Sequence, residues 1–465
     1  MKIPFKFLAI VAVMAGLLAS FSLQAEDAEA NKALIERGKY IAIAADCGAC
    51  HRQAVENGVP FAGGYAIQSP MGRIIASNIT PSQQFGMGNY SEAQFADAVR
   101  KGVTQDDRNL YPAMPYTAYH GITDDDIHAL YVYFMQGVKA ADIAPTAMTR
   151  LGFPFNIRQV MWGWNLLYRS EKPFEQQTNL SEQLNRGRYL VDVLGHCSTC
   201  HTPRNMLMAE KTSLNLSGSP LGGWYAPNIT SDSSGIAGWS QSDLVTYLKT
   251  GHLAGKAQAA GPMAEAVENS FRFMTDEDLN AMAAWIKQVP AVATPVATKS
   301  AQPRLLTDIN NVIIGQGDPS SLADYSQTNG AMLYESACAS CHGHQGQGTS
   351  DNFYPSLINN SAVSGPGPQN LVMTIVEGIH RKGSDSDVSM PAFAQQMNNG
   401  QIASLSNYVR SQFANIDDRL SAEDVQTLRH GGEPPFIVRY LYWLIGAGIV
   451  IVLLILFGLM RLRKR

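Results

Sequence analysis

The run Cys47-Gly48-Ala49-Cys50-His51 returns as Cys197-Ser198-Thr199-Cys200-His201 and again as Cys338-Ala339-Ser340-Cys341-His342, and the three copies use all 6 cysteines of the 465-residue chain. Two thiols three positions apart on one helical turn can both add to the vinyl groups along one edge of a porphyrin. The next residue then brings an imidazole beneath the iron, which is the logic of c-type haem attachment. Structural disulfides would not demand a histidine after every second cysteine. Redox-active Cys pairs would want a βαβ setting, and zinc would want four ligands per site. The reading is therefore three covalent haems c, held by Cys47, Cys50 and His51, by Cys197, Cys200 and His201, and by Cys338, Cys341 and His342.

Outward from the motifs, the chain repeats itself. Arg37-Gly38-Lys39-Tyr40-Ile41 matches Arg186-Gly187-Arg188-Tyr189-Leu190, Asn78-Ile79-Thr80 matches Asn228-Ile229-Thr230, and Tyr90-Ser91 matches Trp239-Ser240. Thr123-Asp124-Asp125-Asp126-Ile127 matches Thr275-Asp276-Glu277-Asp278-Leu279. In the last pair, Thr before acidic residues signals a helix start, a cap followed by negative charge at the positive end. Residues 26–145 and 181–292 are thus two copies of one unit. A third, 318–416, keeps only Gly330 and Tyr334 before its motif and a closing helix from Asn398 to Gln412. The expected fold is all-α: three tandem class I cytochrome c domains with a C-terminal transmembrane helix.

Each unit offers one methionine at a matching place. Met114 follows His51 by 63 residues, Met263 follows His201 by 62, and Met390 follows His342 by 48, each beside a proline. Proline would fix an extended loop around a ligand. A thioether opposite His fills the sixth position and raises the potential, which suits electron transfer rather than oxygen chemistry. Methionine also fills core gaps, and the chain has 18 of them. Met397 rivals Met390, and His120, His128, His196, His252, His344, His380 and His430 are further ligand types, read mainly as surface or supporting residues.

The ends carry membrane signals. Residues 1–25, with Lys2 and Lys6 before an apolar run and small residues near Ala25, read as a secretory signal peptide. Residues 440–460 contain no charge, long enough at ~1.5 Å per residue to cross a bilayer. The basic tail 461–465 then places the C-terminus in the cytoplasm and the preceding chain outside. Residues 417–439 are juxtamembrane, and 293–317, proline-bearing at the start, form a linker. The segment 146–180 connects the first two units; its Phe153, Phe155, Trp162, Trp164 and Tyr168 read as a packed strap more than as a quinone pocket. Residues 26–438 hold all 39 acidic residues and 28 basic ones, a strongly negative balance that excludes nucleic-acid binding.

The three motifs in this order, the Asn-Ile-Thr repeats, Tyr111-Pro112-Ala113-Met114-Pro115, and the stretch from Phe153-Pro154-Phe155-Asn156-Ile157-Arg158 to Gly163-Trp164-Asn165-Leu166-Leu167 together resemble a known family. It is the triheme cytochrome c subunit of bacterial membrane-bound dehydrogenases acting on alcohols, gluconate, fructose or sorbitol, and the likeness spans the mature chain. The resemblance implies a subunit that takes electrons from a periplasmic flavin- or quinone-cofactor dehydrogenase and delivers them to ubiquinone in the bacterial inner membrane. It implies axial pairs His51 and Met114, His201 and Met263, His342 and Met390, and no substrate-oxidising residues in this chain. Two other classes stand beside it. One is a free-standing membrane cytochrome feeding a terminal oxidase. The other is a haem enzyme in its own right, which would need an open or cysteine-ligated iron for which no cysteine remains.

Overall fold

The computed structural model describes residues 27–55, 57–295, 315–383, 387–417 and 419–463. The expected signal peptide, most of the 293–317 linker and the last two residues of the basic tail lie outside them.

The first helix, residues 27–44, carries Arg37-Gly38-Lys39-Tyr40 and crosses the helix Asp124–Val132 at Gly38. A Cβ on Gly38 would lie only 2.0 Å from the Ala129 carbonyl oxygen. The second copy repeats the crossing. A Cβ on Gly187, in the helix Glu182–Arg188, would lie the same 2.0 Å from Ala281 O on the helix Asp276–Gln288. A Cβ on Gly330, which opens the helix Gly330–Ala337, would lie 2.4 Å from Ser404 O on the helix Asn399–Ala414. The recurring glycine thus lets each motif-bearing segment's N-terminal helix approach the backbone of its C-terminal helix, where any side chain would overpack the joint.

The C-terminal helices begin where the sequence places them. Thr123 Oγ1 accepts the Asp126 N–H and Thr275 Oγ1 accepts the Asp278 N–H. In both copies the helix preceding the methionine also starts on a serine cap, Ser91 and Ser240, whose backbone N–H donates in return to the side-chain oxygen of Gln94 or Asp243.

The chain is mostly helical, but it is not all-α. Ala66–Ser69 and Gly72–Ile75 form an antiparallel hairpin joined by Arg150–Leu151. Smaller hairpins pair Ser219–Leu221 with Trp224–Ala226, His252–Leu253 with Ala257–Gln258, and Ile379–Arg381 with Val388–Met390. Strands of two to four residues are too short to show the alternation by which a strand is recognised in sequence.

The first two segments share a single apolar core that runs from Ile41, Leu130 and Phe134 to Leu190, Leu279 and Met282. Their joint has pseudo-twofold symmetry. Arg37 bonds Asp126 within the first segment (2.7 Å) and Arg186 bonds Asp278 within the second (2.7 Å). Across the joint Tyr189 donates to Asp126 (2.7 Å) and Tyr40 donates to Asp278 (2.6 Å). Each repeated Arg-Gly-x-Tyr therefore satisfies its own aspartate with the arginine and its neighbour's with the tyrosine.

Residues 330–428 have a separate core around Leu333, Tyr334, Val372, Ile402 and Leu405. This segment docks on the second. Asn370 exchanges two 2.9 Å bonds with the Tyr225 backbone. The buried Arg381 reaches over to Ala259 O (2.6 Å) and Gln258 Oε1 (3.1 Å). Its guanidinium lies over Gly251, whereas the corresponding Gly102 of the first copy is covered by the Tyr116 ring. Beyond it, Leu441–Arg463 is the one described helix long and apolar enough to span a bilayer; its most apolar 18-residue stretch has mean hydropathy 2.8 and none of it is buried in the protein, Leu441 at the helix start being the one buried residue.

Candidate haem-binding sites

All three motifs lie on a short helical turn: Cys47–Cys50, Ser198–His201 and Ala339–His342. The six thiols are free, and no disulfide joins any pair. Burial pushes the Cys47, Cys197 and Cys338 thiols up to about 12, and those of Cys50 and Cys200 to about 11. These are neutral sulfurs in apolar surroundings rather than thiolates arranged round a metal, and the described residues hold no cluster of three or more His, Cys, Asp or Glu side chains that could bind a bare ion.

The histidines are oriented alike. His51 Nδ1–H donates to Ser77 O (2.7 Å), His201 Nδ1–H to Pro227 O (2.7 Å) and His342 Nδ1–H to Pro355 O (2.9 Å). That bond selects the tautomer whose Nε2 lone pair is free, and it fixes the ring plane. Burial lowers all three histidine pKa values, keeping each imidazole neutral as an axial ligand must be.

The Asn-Ile-Thr repeat explains how two of those carbonyls are held. Ser77 and Pro227 immediately precede Asn78 and Asn228. Asn78 Oδ1 accepts from the backbone N–H (2.9 Å) and hydroxyl (2.7 Å) of Thr80, while its amide donates to Ala141 O (2.9 Å). Asn228 does the same with Thr230 (both 2.8 Å) and Val292 O (2.8 Å). The threonine hydroxyls then accept from Ala141 N and Val292 N, both at 3.1 Å. Thr80 and Thr230 are wholly buried. The motif clasps the loop bearing the histidine's acceptor to the chain leaving the C-terminal helix. Sequence periodicity found the repeat but not this role, because the partners are over 60 residues away.

The methionines occupy three settings. Met114 lies in the turn before the helix Tyr116–Tyr119, with its N–H on Tyr111 O (3.1 Å). Met263 is not in an extended loop. It lies in the first turn of the helix Gly261–Asn269, with Pro262 at a helix start where its missing N–H costs nothing. Met390 ends the strand Val388–Met390. Met114 and Met263 border the shared core and Met390 borders the third segment's own, while its rival Met397 is fully packed within the latter.

Most other histidines bond locally: His120 to Thr117 O, His128 to Glu92, His344 to Glu335 and His430 to Gln426 O. His196 differs, and sequence reasoning did not single it out. It precedes Cys197, meets the Tyr119 ring edge-on at 5.5 Å between centroids, and burial lowers its pKa to about 4. Tyr119 donates in turn to Ala45 O, two residues before Cys47. The cysteine-bearing ends of the first two sites are thus tied together at the segment joint. On its other side Arg52 pairs with Glu265 at 3.2 Å, linking the residue after His51 to the helix that carries Met263.

The donor set fits haem c. Paired free thiols on one turn, a neutral histidine directed by its Nδ1 bond and a methionine in the same segment are together the features of a c-type cytochrome. Comparison with known proteins agrees: the cytochrome c family model matches residues 35–137 and 185–290, and the model described as cytochrome c oxidase, cbb3-type, subunit III matches 326–409. The chain is 43% identical over 430 residues to the fructose dehydrogenase cytochrome subunit of Gluconobacter japonicus, covering 90% of this chain and 88% of that one. It is 36% identical over 440 residues to the gluconate 2-dehydrogenase cytochrome c subunit of Pantoea cypripedii, covering 90% and 94%. It is 34% identical over 437 residues to the cytochrome c subunit of the quinone-type alcohol dehydrogenase of Gluconobacter oxydans, covering 91% and 88%. The chain belongs to the family of cytochrome c subunits of membrane-bound dehydrogenases, and its role is electron transfer.

Proposed function

We propose that the chain carries three covalent haems c, one in each of three tandem class I cytochrome c domains, and passes electrons from a periplasmic dehydrogenase subunit with a flavin or quinone cofactor to ubiquinone in the inner membrane. The observation that carries this reading is the threefold recurrence of one arrangement: two free thiols on a turn and a histidine whose Nδ1–H is held by a backbone carbonyl. The haems would supply one-electron couples. The chain's own residues attach them through Cys47 and Cys50, Cys197 and Cys200, and Cys338 and Cys341, and present His51, His201 and His342 on one side. Met114, Met263 and Met390 would supply the further thioether ligands. The joined core of the first two segments keeps their sites at a fixed spacing and excludes water between them.

The helix Leu441–Arg463, ending in Arg461 and Arg463, would hold the assembly at the membrane with its haem-bearing part on the periplasmic face. A partner acting on fructose is the first to test, given the 43% relative, followed by gluconate and alcohols. The decisive experiment has two parts. Acid-denatured protein should weigh the processed chain plus three haems, and the membrane-purified chain should arrive with a larger subunit that reduces its haems on adding substrate and reoxidises them with a ubiquinone analogue. A mass equal to the bare chain ends the proposal. Full haem content with no co-purifying dehydrogenase would favour the relay to a terminal oxidase.

A further inference from the structure

The segment between the first two cytochrome units packs only one side of its helix. In Val160–Tyr168, Asn165 is buried, donating its amide to Asn109 Oδ1 (3.0 Å) and accepting from Tyr116 Oη (2.8 Å). Trp164 donates to Leu207 O (2.9 Å). The opposite face is apolar as well, and bare: Trp162 is 68% exposed, Leu166 72%, Leu167 66% and Val160 55%. At 100° per residue these four, with Gly163, fall on one continuous arc. Phe153, in the turn leading to the helix, is 58% exposed. A helix that is apolar all round is normally covered on both sides, and no described residue covers this one.

Two further observations say what does. The first is position. Gly152 donates to Met71 O (2.8 Å), and the neighbouring Pro70 lines one cleft with His430, Gly432 and Pro434. Pro434 is two residues before the helix Phe436–Arg439, which leads into Leu441–Arg463. The segment leading into the bare face, at Gly152, therefore runs beside the point where the chain turns into its apolar helix. The second is charge. From 146 to 172 the segment has Arg150, Arg158, Arg169 and Lys172 against the single acid Glu171, within a body that is otherwise strongly acidic. An apolar helix face with basic flanks and tryptophan matches an anionic lipid surface, with rings and leucines at the acyl boundary and cations at the phosphates.

We propose that Val160–Tyr168 is a second membrane contact: its Trp162–Leu166–Leu167 face lies in the bilayer interface beside the spanning helix and so fixes the orientation of the first two haem sites against the membrane. The inference rests on the proposed anchoring by Leu441–Arg463. The test uses the haem-loaded full chain in phosphatidylcholine–phosphatidylglycerol vesicles containing a diazirine-acyl phosphatidylglycerol, irradiated and mapped by peptide mass spectrometry. Adducts are expected on residues 153–168 as well as 441–463. In a W162E/L166E variant, adducts on 153–168 should fall about fivefold, with those on 441–463 and the haem spectrum unchanged. Wild-type adducts confined to the C-terminal helix overturn this inference alone, and adducts on neither segment overturn the anchoring with it. If the variant loses its dehydrogenase partner while wild-type 153–168 was never labelled, the face is a protein interface and the inference is wrong.

Discussion

A single hydrogen bond at each motif histidine decides what that ring can do, and its support comes from residues that touch no ligand. Because Asn78 and Thr80 fix the Ser77 carbonyl, N78A or T80V should loosen His51 without removing any ligand. Outer partners of this kind change metal affinity by about tenfold or more, and a tenfold preference between oxidation states is ~60 mV for one electron. A histidine freed from its acceptor is a weaker donor to the oxidised iron, so one couple in a spectroelectrochemical titration should rise by tens of millivolts while the others hold; three unmoved couples would deny the clasp its role. Asp192 gives a second residue-scale prediction. Burial raises its carboxyl to about 6, against an opposing bond from Trp285 Nε1 (3.2 Å). The native state then holds this proton more tightly than the unfolded chain, so its stabilising contribution is full below pH ~4 and is lost as pH rises through about 6. Between pH 4 and 7 the wild type should lose ~1–2 kcal/mol relative to D192N, a figure reduced for partial solvent access, and denaturation series at the two pH values measure it.

Among the elements, helix crossings gave a clear sequence signal with an unforeseen meaning. The repeated glycine before each motif was visible; that a Cβ there would fall within 2.4 Å of an opposing carbonyl oxygen was not. G187A should cost about 1–3 kcal/mol by overpacking and lower the melting temperature with haem content intact; an unchanged melting curve would show that the crossing yields easily. The threonine caps were legible because capping is local, requiring only Thr123 or Thr275 and the three residues after it. The small hairpins and the helical setting of Met263 were not, since a two-residue strand or a first turn behind proline is set by what it packs on. The connector's aromatic residues were evident from composition, but which of them face inward follows from Asn165 and Trp164 bonding to distant loops.

At the scale of the whole molecule, the reciprocal tyrosine bonds hold the first two segments as one body. Asp278 shows the effect: burial alone would raise its carboxyl, but bonds from Arg186 and Tyr40 hold it below the ordinary carboxylate range. Y40F and Y189F should each cost about 0.5–1.5 kcal/mol and be nearly additive, because the two aspartates they serve are separate. Limited proteolysis of the double variant should cut first in the connector; resistance equal to wild type would mean that the shared core suffices without them. Arg381 plays the corresponding part at the other joint, filling over Gly251 the place that Tyr116 fills over Gly102.

The paired-thiol-and-histidine motifs, the duplication of the first two units and the apolar C-terminal run were determined by sequence alone, because each depends on residues close together in the chain or on a fixed repeat distance. The pairing of the units, the carbonyl behind each histidine and the bare face of the connector helix were decided only in three dimensions. They depend on groups such as Tyr40 and Asp278, 238 positions apart, which no local pattern brings together and which only the burial of a common core sets at hydrogen-bonding distance.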